Sequence, residues 1–202
     1  AYSRSVADDV SAAVAARAPV VPIYNAVDLD ACSSEGERLD LDRLAQLPPA
    51  PDGTIRVGLV ATFARWKGHE TFLRALQQLA APGVRGYVIG GPLYDTAGSQ
   101  HTLDELRAMA ASLGLQDRVG FTGFVGQPAE AMRALDVIVH ASTEPEPFGL
   151  VIAEGLACGK PVIVSAAGGA AELVEPGVDA LTFAPGDEAA LAQAIARCAA
   201  DA

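Results

Sequence analysis

An α/β fold built on a Rossmann-like, doubly wound parallel sheet is predicted for most of this chain, and three observations predict it. Short apolar runs of buried-strand type alternate with stretches whose apolar residues recur at helical spacing. That alternation is the mark of βαβ units and a parallel sheet. The 202 residues, half of them hydrophobic, suffice for one good core with some chain left over.

The elements follow in order. Residues 5–18 place Val6, Val10, Ala13, Val14 and Arg17 at helical spacing and read as one amphipathic helix, closed by Pro19. Val20-Val21-Pro22-Ile23-Tyr24-Asn25 is extended, with a Pro that suits no central strand. From Cys32 to Gly53 the sequence is polar and acidic and ends in Pro48-Pro49-Ala50-Pro51-Asp52-Gly53, which is linker chemistry. Regular alternation then begins. Strands are predicted at 55–61, 86–90, 118–122, 136–141, 161–165 and 181–183. Between them, helices are marked by Phe72, Leu73, Leu76 and Leu79, by Leu103, Leu106, Ala110 and Leu113, by residues 128–135, and by the stretch after Pro147. A helical turn near Glu172 and a last helix carrying Leu191, Ala194, Ile195 and Cys198 complete the domain.

Composition excludes several roles. A formal charge of −11 argues against nucleic acid and against an anionic membrane surface, so an anionic ligand must be held by a local basic cluster. The three cysteines are widely spaced with no CxxC pair, which indicates neither a disulfide framework nor a zinc site and points to a reducing, cytoplasmic setting. No apolar run approaches the roughly 20 residues of a membrane span. The chain opens on Ala1 without a charged and apolar leader, and is expected to be a piece of something longer.

The stretch Glu146-Pro147-Phe148-Gly149-Leu150-Val151-Ile152-Ala153-Glu154 follows a buried-type strand, at the edge where open α/β sheets bind ligands. With Pro147 in the first helical turn, the two Glu backbones would stand roughly 12 Å apart at about 1.5 Å per residue. Glycosidase carboxyl pairs sit at about 5–5.5 Å or roughly 6.5–9.5 Å, so two acids on one bond is the weaker reading. They fit better as clamps on the two ends of a hydroxyl-rich ligand, with the free N–H groups of Phe148, Gly149 and Leu150 between them as a place for phosphate. Arg65-Trp66-Lys67-Gly68-His69 puts a basic pair after the first strand, facing the same place. Neither a P-loop nor GxGxxG occurs at this turn. Blander readings attach to the rest: Gly90-Gly91-Pro92 as a turn, Trp66 and Cys158 as packing, His140 as a core residue, and Asp8, Asp9, Glu35, Glu37, Asp40 and Asp42 as solvated surface. His69, His101 and His140 show no metal-ligand spacing.

Taken together, these motifs resemble the C-terminal, donor-binding half of a GT-B fold retaining glycosyltransferase of the family-4 type. The resemblance rests on Arg65-Trp66-Lys67-Gly68-His69, Phe121-Thr122-Gly123-Phe124-Val125, the E-x7-E stretch, Ala157-Cys158-Gly159-Lys160-Pro161, Gly168-Gly169-Ala170-Ala171-Glu172 and Pro185-Gly186-Asp187. It implies residues 1–28 as a remnant of an N-terminal domain and the crossing from it, 29–54 as linker, and 55–202 as the nucleotide-sugar domain. It further implies that Glu146 binds donor-sugar hydroxyls, that Glu154 binds the ribose diol, and that Lys67 with the amides of Phe148, Gly149 and Leu150 holds the diphosphate. The backbone near Val125 would meet the base. The family often has Gly-Arg where this chain has Ala61-Thr62, so Arg65 is expected to stand in beside Thr62. The implied donor is a UDP or GDP sugar, with no metal or other cofactor, and the acceptor site lies in the N-terminal domain of the same protein. A fragment that binds without turnover is expected. A non-catalytic nucleotide-sugar module and a GT-B nucleotide-sugar epimerase are the alternatives.

Overall fold

Strands form where the β-branched apolar runs lie. They are β1 (Ile55–Val60), β2 (Val84–Ile89), β3 (Val119–Gly123), β4 (Val137–His140), β5 (Val162–Ser165) and β6 (Leu181–Phe183). In the computed structural model, which describes residues 1–14, 19–79, 81, 83–93 and 96–201, all pair in parallel in the order β3-β2-β1-β4-β5-β6. The helices are α1 (Arg4–Ala13), α2 (Leu41–Leu44), α3 (His69–Gln78), α4 (Leu103–Ser112), α5 (Pro128–Arg133), α6 (Leu150–Ala157) and α7 (Glu188–Ala200). The predicted first helix extended through residues 15–18, and the second through Ala80; both lie outside the described residues.

Period-two alternation along the strands sends side chains to two cores. Val57, Leu59, Val137 and Val139 pack with Phe72, Leu73, Leu76, Leu106, Leu191 and Ile195 on the face covered by α3, α4 and α7. Tyr87, Ile89, Ile138, Val162 and Val164 pack with Met132, Leu135 and Ile152 on the face covered by α5 and α6. Each fully buried aliphatic side chain contributes about 1.5–3 kcal/mol before entropy is counted. With both faces covered, the sheet is of the doubly wound type. Strand order reverses between β1 and β4, whose Val57–Val137 and Leu59–Val139 pairs lie side by side. The loops leaving these two strands therefore share one crevice, at the switch point where such sheets take ligands.

Two expectations are corrected here. Pro147 does not open a helix: α6 starts at Leu150, behind Gly149 with φ of 97°, and Glu146 lies outside it in a parallel bridge to Gly168. The helical rise used to separate the two acids thus applies only to the part from Leu150 onward. The second correction concerns Asp42, which is not solvated surface but 8% exposed. Within the stretch expected to be a linker, Leu41 is buried and α2 lies against β3. The Asp42 carboxylate accepts bonds from Tyr87 Oη (2.5 Å), Arg85 Nη1 (2.6 Å) and the Ala50 amide (2.9 Å). Burial pushes this carboxyl up, but the Tyr87 hydroxyl, the Ala50 amide and Arg85 outweigh it and hold it at about 2.

Replacing Asp42 with Asn leaves Arg85 without its anion and is expected to destabilise the fold by about 3–5 kcal/mol, read from the urea midpoint. Because the folded carboxyl lies below its ordinary range, the wild-type advantage should be complete above pH ~4 and disappear as pH falls toward about 2.

Candidate functional site

After β1 the chain makes a 3-10 turn over Arg65–Lys67 and leaves it at Gly68, whose φ is 74°. A Cβ on Gly68 would stand 1.8 Å from the Ala141 carbonyl oxygen, so only glycine lets this loop touch the end of β4. The Thr143 amide donates to the Trp66 carbonyl at 2.7 Å and fastens the contact. Lys67 leans across the Trp66 ring, its Nζ 4.0 Å from the centroid, and donates to Glu146 Oε2 at 2.7 Å.

The Glu146 backbone is held from the far side by residues 167–169. Its amide donates to the Ala167 carbonyl (3.3 Å) and its carbonyl accepts from the Gly169 amide (2.6 Å). A side chain on Gly169 would come within 2.2 Å of the Pro147 carbonyl oxygen, which explains the glycine. The Glu146 side chain is buried, and three donors converge on its Oε2: Lys67 Nζ, Ser142 Oγ at 2.8 Å and the ring nitrogen Nε2 of His140 at 3.2 Å. Burial raises this carboxyl, but the His140 bond, the Lys67 charge and the Ser142 hydroxyl overcome it and hold it at about 2. At neutral pH Glu146 is an ionised acceptor whose Oε1 takes none of these three bonds.

Beyond it, Phe148 is buried with its ring tilted against Tyr24, centroids 6.2 Å apart. The first turn of α6 has no side-chain cap among the described residues, so main-chain N–H groups stand uncapped at its start, four residues beyond Glu146. Glu154 sits one turn further on, half-buried, and burial alone pushes its carboxyl up. Thr62 is half-buried at the end of β1, and Val125 is half-buried beyond β3, against the α5–α6 core. Arg65 points away from Glu146. Its guanidinium donates to the Gly98 carbonyl (2.9 Å) and to Glu105 Oε1 (3.2 Å), and lies 3.2 Å from His101 Nδ1. A hollow of about 290 Å³ lined by Asp136, Val162 and Arg197 opens at the opposite, amino-terminal edge of the sheet.

Residues 43–202 match the family described as glycosyl transferases group 1. The chain belongs to that family. It is 34% identical over 162 residues to the D-inositol 3-phosphate glycosyltransferase of Stackebrandtia nassauensis, covering 75% of this chain and 35% of that protein. It is 32% identical to the 2-deoxystreptamine N-acetyl-D-glucosaminyltransferase of Streptomyces fradiae, with the same two coverages. Among solved structures, Anabaena HepE in complex with UDP-glucose superposes with a TM-score of 0.84 at 34% identity, over 100% of this chain and 53% of that one. Sucrose-phosphate synthase from Thermosynechococcus elongatus superposes with a TM-score of 0.78 at 29% identity, over 98% and 48%. The fold is thus the Rossmann-like domain of GT-B glycosyltransferases. The chain spans about a third of the length of these curated relatives and about half of these structures.

Part of the cluster around Glu146 leaves little trace in the sequence. Ser142 and Ser165 were not singled out, and His140, read as core, is buried but bonded to Glu146. The signal was faint: two hydroxyl residues at the ends of adjacent apolar runs. Glu154 carries a testable signature of its own. A half-buried carboxylate that burial alone shifts upward costs stability once ionised, so Glu154→Gln is expected to raise the melting temperature at neutral pH. The folded carboxyl is raised, so that gain should vanish at pH below the ordinary carboxylate range.

Proposed function

We propose that this chain is the donor-binding domain of a glycosyltransferase that moves a sugar from a nucleotide-diphosphate sugar to an acceptor hydroxyl with retention. The observation that carries the reading is the Lys67–Glu146 pair beside the uncapped start of α6, at the β1/β4 switch point. Glu146 accepts sugar hydroxyls through Oε1. Lys67, which can share its three protons between Glu146 and an anion, meets the diphosphate together with the amides of Phe148, Gly149 and Leu150. One helical turn on, Glu154 accepts the two ribose hydroxyls, and the main chain near Val125 meets the base. Thr62 lines the diphosphate end. Arg65 reaches the phosphates only by releasing Glu105, so it acts second to Lys67.

In this reading the domain orients the donor and stabilises charge developing on the leaving diphosphate, through Lys67 and the helix start rather than through a metal. UDP or GDP sugars are the proposed donors, and the UDP-glucose bound to HepE supports the former. The acceptor site belongs to an N-terminal domain of the same cytoplasmic protein, and this chain alone binds donor without turning it over.

Calorimetric titration with UDP, GDP and their sugars tests this. At least one should bind, and Lys67→Ala should weaken it about 10–100-fold, the loss of one or two charge-assisted bonds. Silence across the panel, or unchanged affinity in Lys67→Ala and Glu154→Ala, would overturn the assignment. Wild-type affinity should also fall with decreasing pH beginning above the ordinary carboxylate range, because Glu154 is raised, and Glu154→Gln should flatten that dependence.

A further inference from the structure

We propose that His140, acting together with Ser142, is a positioning residue that fixes the Glu146 carboxylate so that its second oxygen faces the donor sugar. This rests on the donor-site reading above and adds to it a residue that touches no substrate. His140 ends β4 at 3% exposure, after three apolar residues, in a place that an aliphatic side chain would fill without burying ring nitrogens. Its Nδ1 has no hydrogen-bond partner among the described residues, while Nε2 lies 3.2 Å from Glu146 Oε2 and 3.1 Å from Ser142 Oγ. What sets this imidazole apart from an aliphatic residue in the same place is its pair of directed contacts through Nε2.

The hydrogen positions follow from counting donors. Ser142 has a single hydroxyl proton and gives it to Glu146 Oε2, so Ser142 Oγ accepts from His140. Nε2 therefore carries the hydrogen, shared between the serine and the carboxylate, and Nδ1 is left as a bare acceptor. The opposite tautomer would bury an N–H without an acceptor and turn the Nε2 lone pair toward a carboxylate. Ser165, at the end of β5 and 1% exposed, donates to the Ser142 carbonyl at 2.6 Å and ties the group to a second strand. His140 and Ser165 thus sit on strand ends, and Ser142 is bonded to both. Lys67, by contrast, comes from a loop on a flexible stem and is shared with the diphosphate. When Lys67 turns to phosphate, His140 and Ser142 continue to hold Oε2, and Oε1 keeps its direction.

The test compares a nucleoside diphosphate with its sugar, UDP against UDP-glucose and GDP against GDP-mannose, on this chain and its variants. In the wild type the sugar should tighten binding. His140→Leu should reduce that sugar increment about tenfold, one lost directed bond, while leaving UDP or GDP affinity nearly unchanged. His140→Gln, which can donate from a similar position, should restore part of it. Ser142→Ala, a smaller change on the same oxygen, should reduce the increment in the same direction and serves if His140→Leu fails to fold. An unchanged increment in both His140→Leu and Ser142→Ala overturns the positioning role alone, as does equal weakening of diphosphate and sugar. A wild type that binds none of the four ligands overturns the donor-site reading and this inference with it, and a wild-type increment near one removes Glu146 from the sugar and His140 from its role.

Discussion

Taking a carboxylate out of water costs several kcal/mol unless donors replace the lost solvation, and Glu146 is 7% exposed. One oxygen takes a lysine from the turn after β1 and a histidine and a serine from the end of β4. That arrangement needs the β1 loop to reach β4 and the chain after β5 to press on Pro147. Gly68 permits the first and Gly169 the second. The site therefore depends on backbone proximity at two points as much as on its charged groups. A change at either glycine would reach Glu146 without altering any residue that carries charge.

The two acids of the E-x7-E stretch are held in opposite electrostatic states. Glu146 is over-supplied with donors and remains ionised far below neutral pH, whereas Glu154 is desolvated without compensation. A group that is already satisfied contributes geometry, because its position is fixed. A group that is under-satisfied carries a cost that a donor placed beside it would offset. The same spacing of two identical side chains thus yields two different environments, set by donors from strand ends and a loop at one and by burial alone at the other.

Much of the fold was legible because the strands are buried on both faces and read as continuous Val and Ile runs, such as Val137 to Val139 and Val162 to Val164. That Lys67 and Glu146 meet was legible because a basic pair in an acidic chain and a Pro-Phe-Gly break are local signals placed at neighbouring strand ends. What was hidden depends on register and long-range contact. Nothing local says that Gly168 pairs with Glu146, so Pro147 looked like a helix start. Asp42 looked solvated because its partners, Tyr87 and Arg85, lie more than forty positions away on β2. His140 is the core residue its apolar strand implies, and only its bond to Glu146, six residues on across a turn whose path the sequence does not state, was hidden.

Glu172 links the site to the start of the chain. Its carboxylate accepts the amides of Arg4 and Ser5 at the head of α1 and the hydroxyl of Tyr24, and the Tyr24 ring lies against Phe148. Gly169, which braces Pro147, begins the same short turn that ends at Glu172. One carboxylate therefore ties the head of α1 and Tyr24 to the turn that braces the loop between the two acids. The loop between the two acids is thus anchored, through the turn that braces it, to a helix that contributes no residue to it.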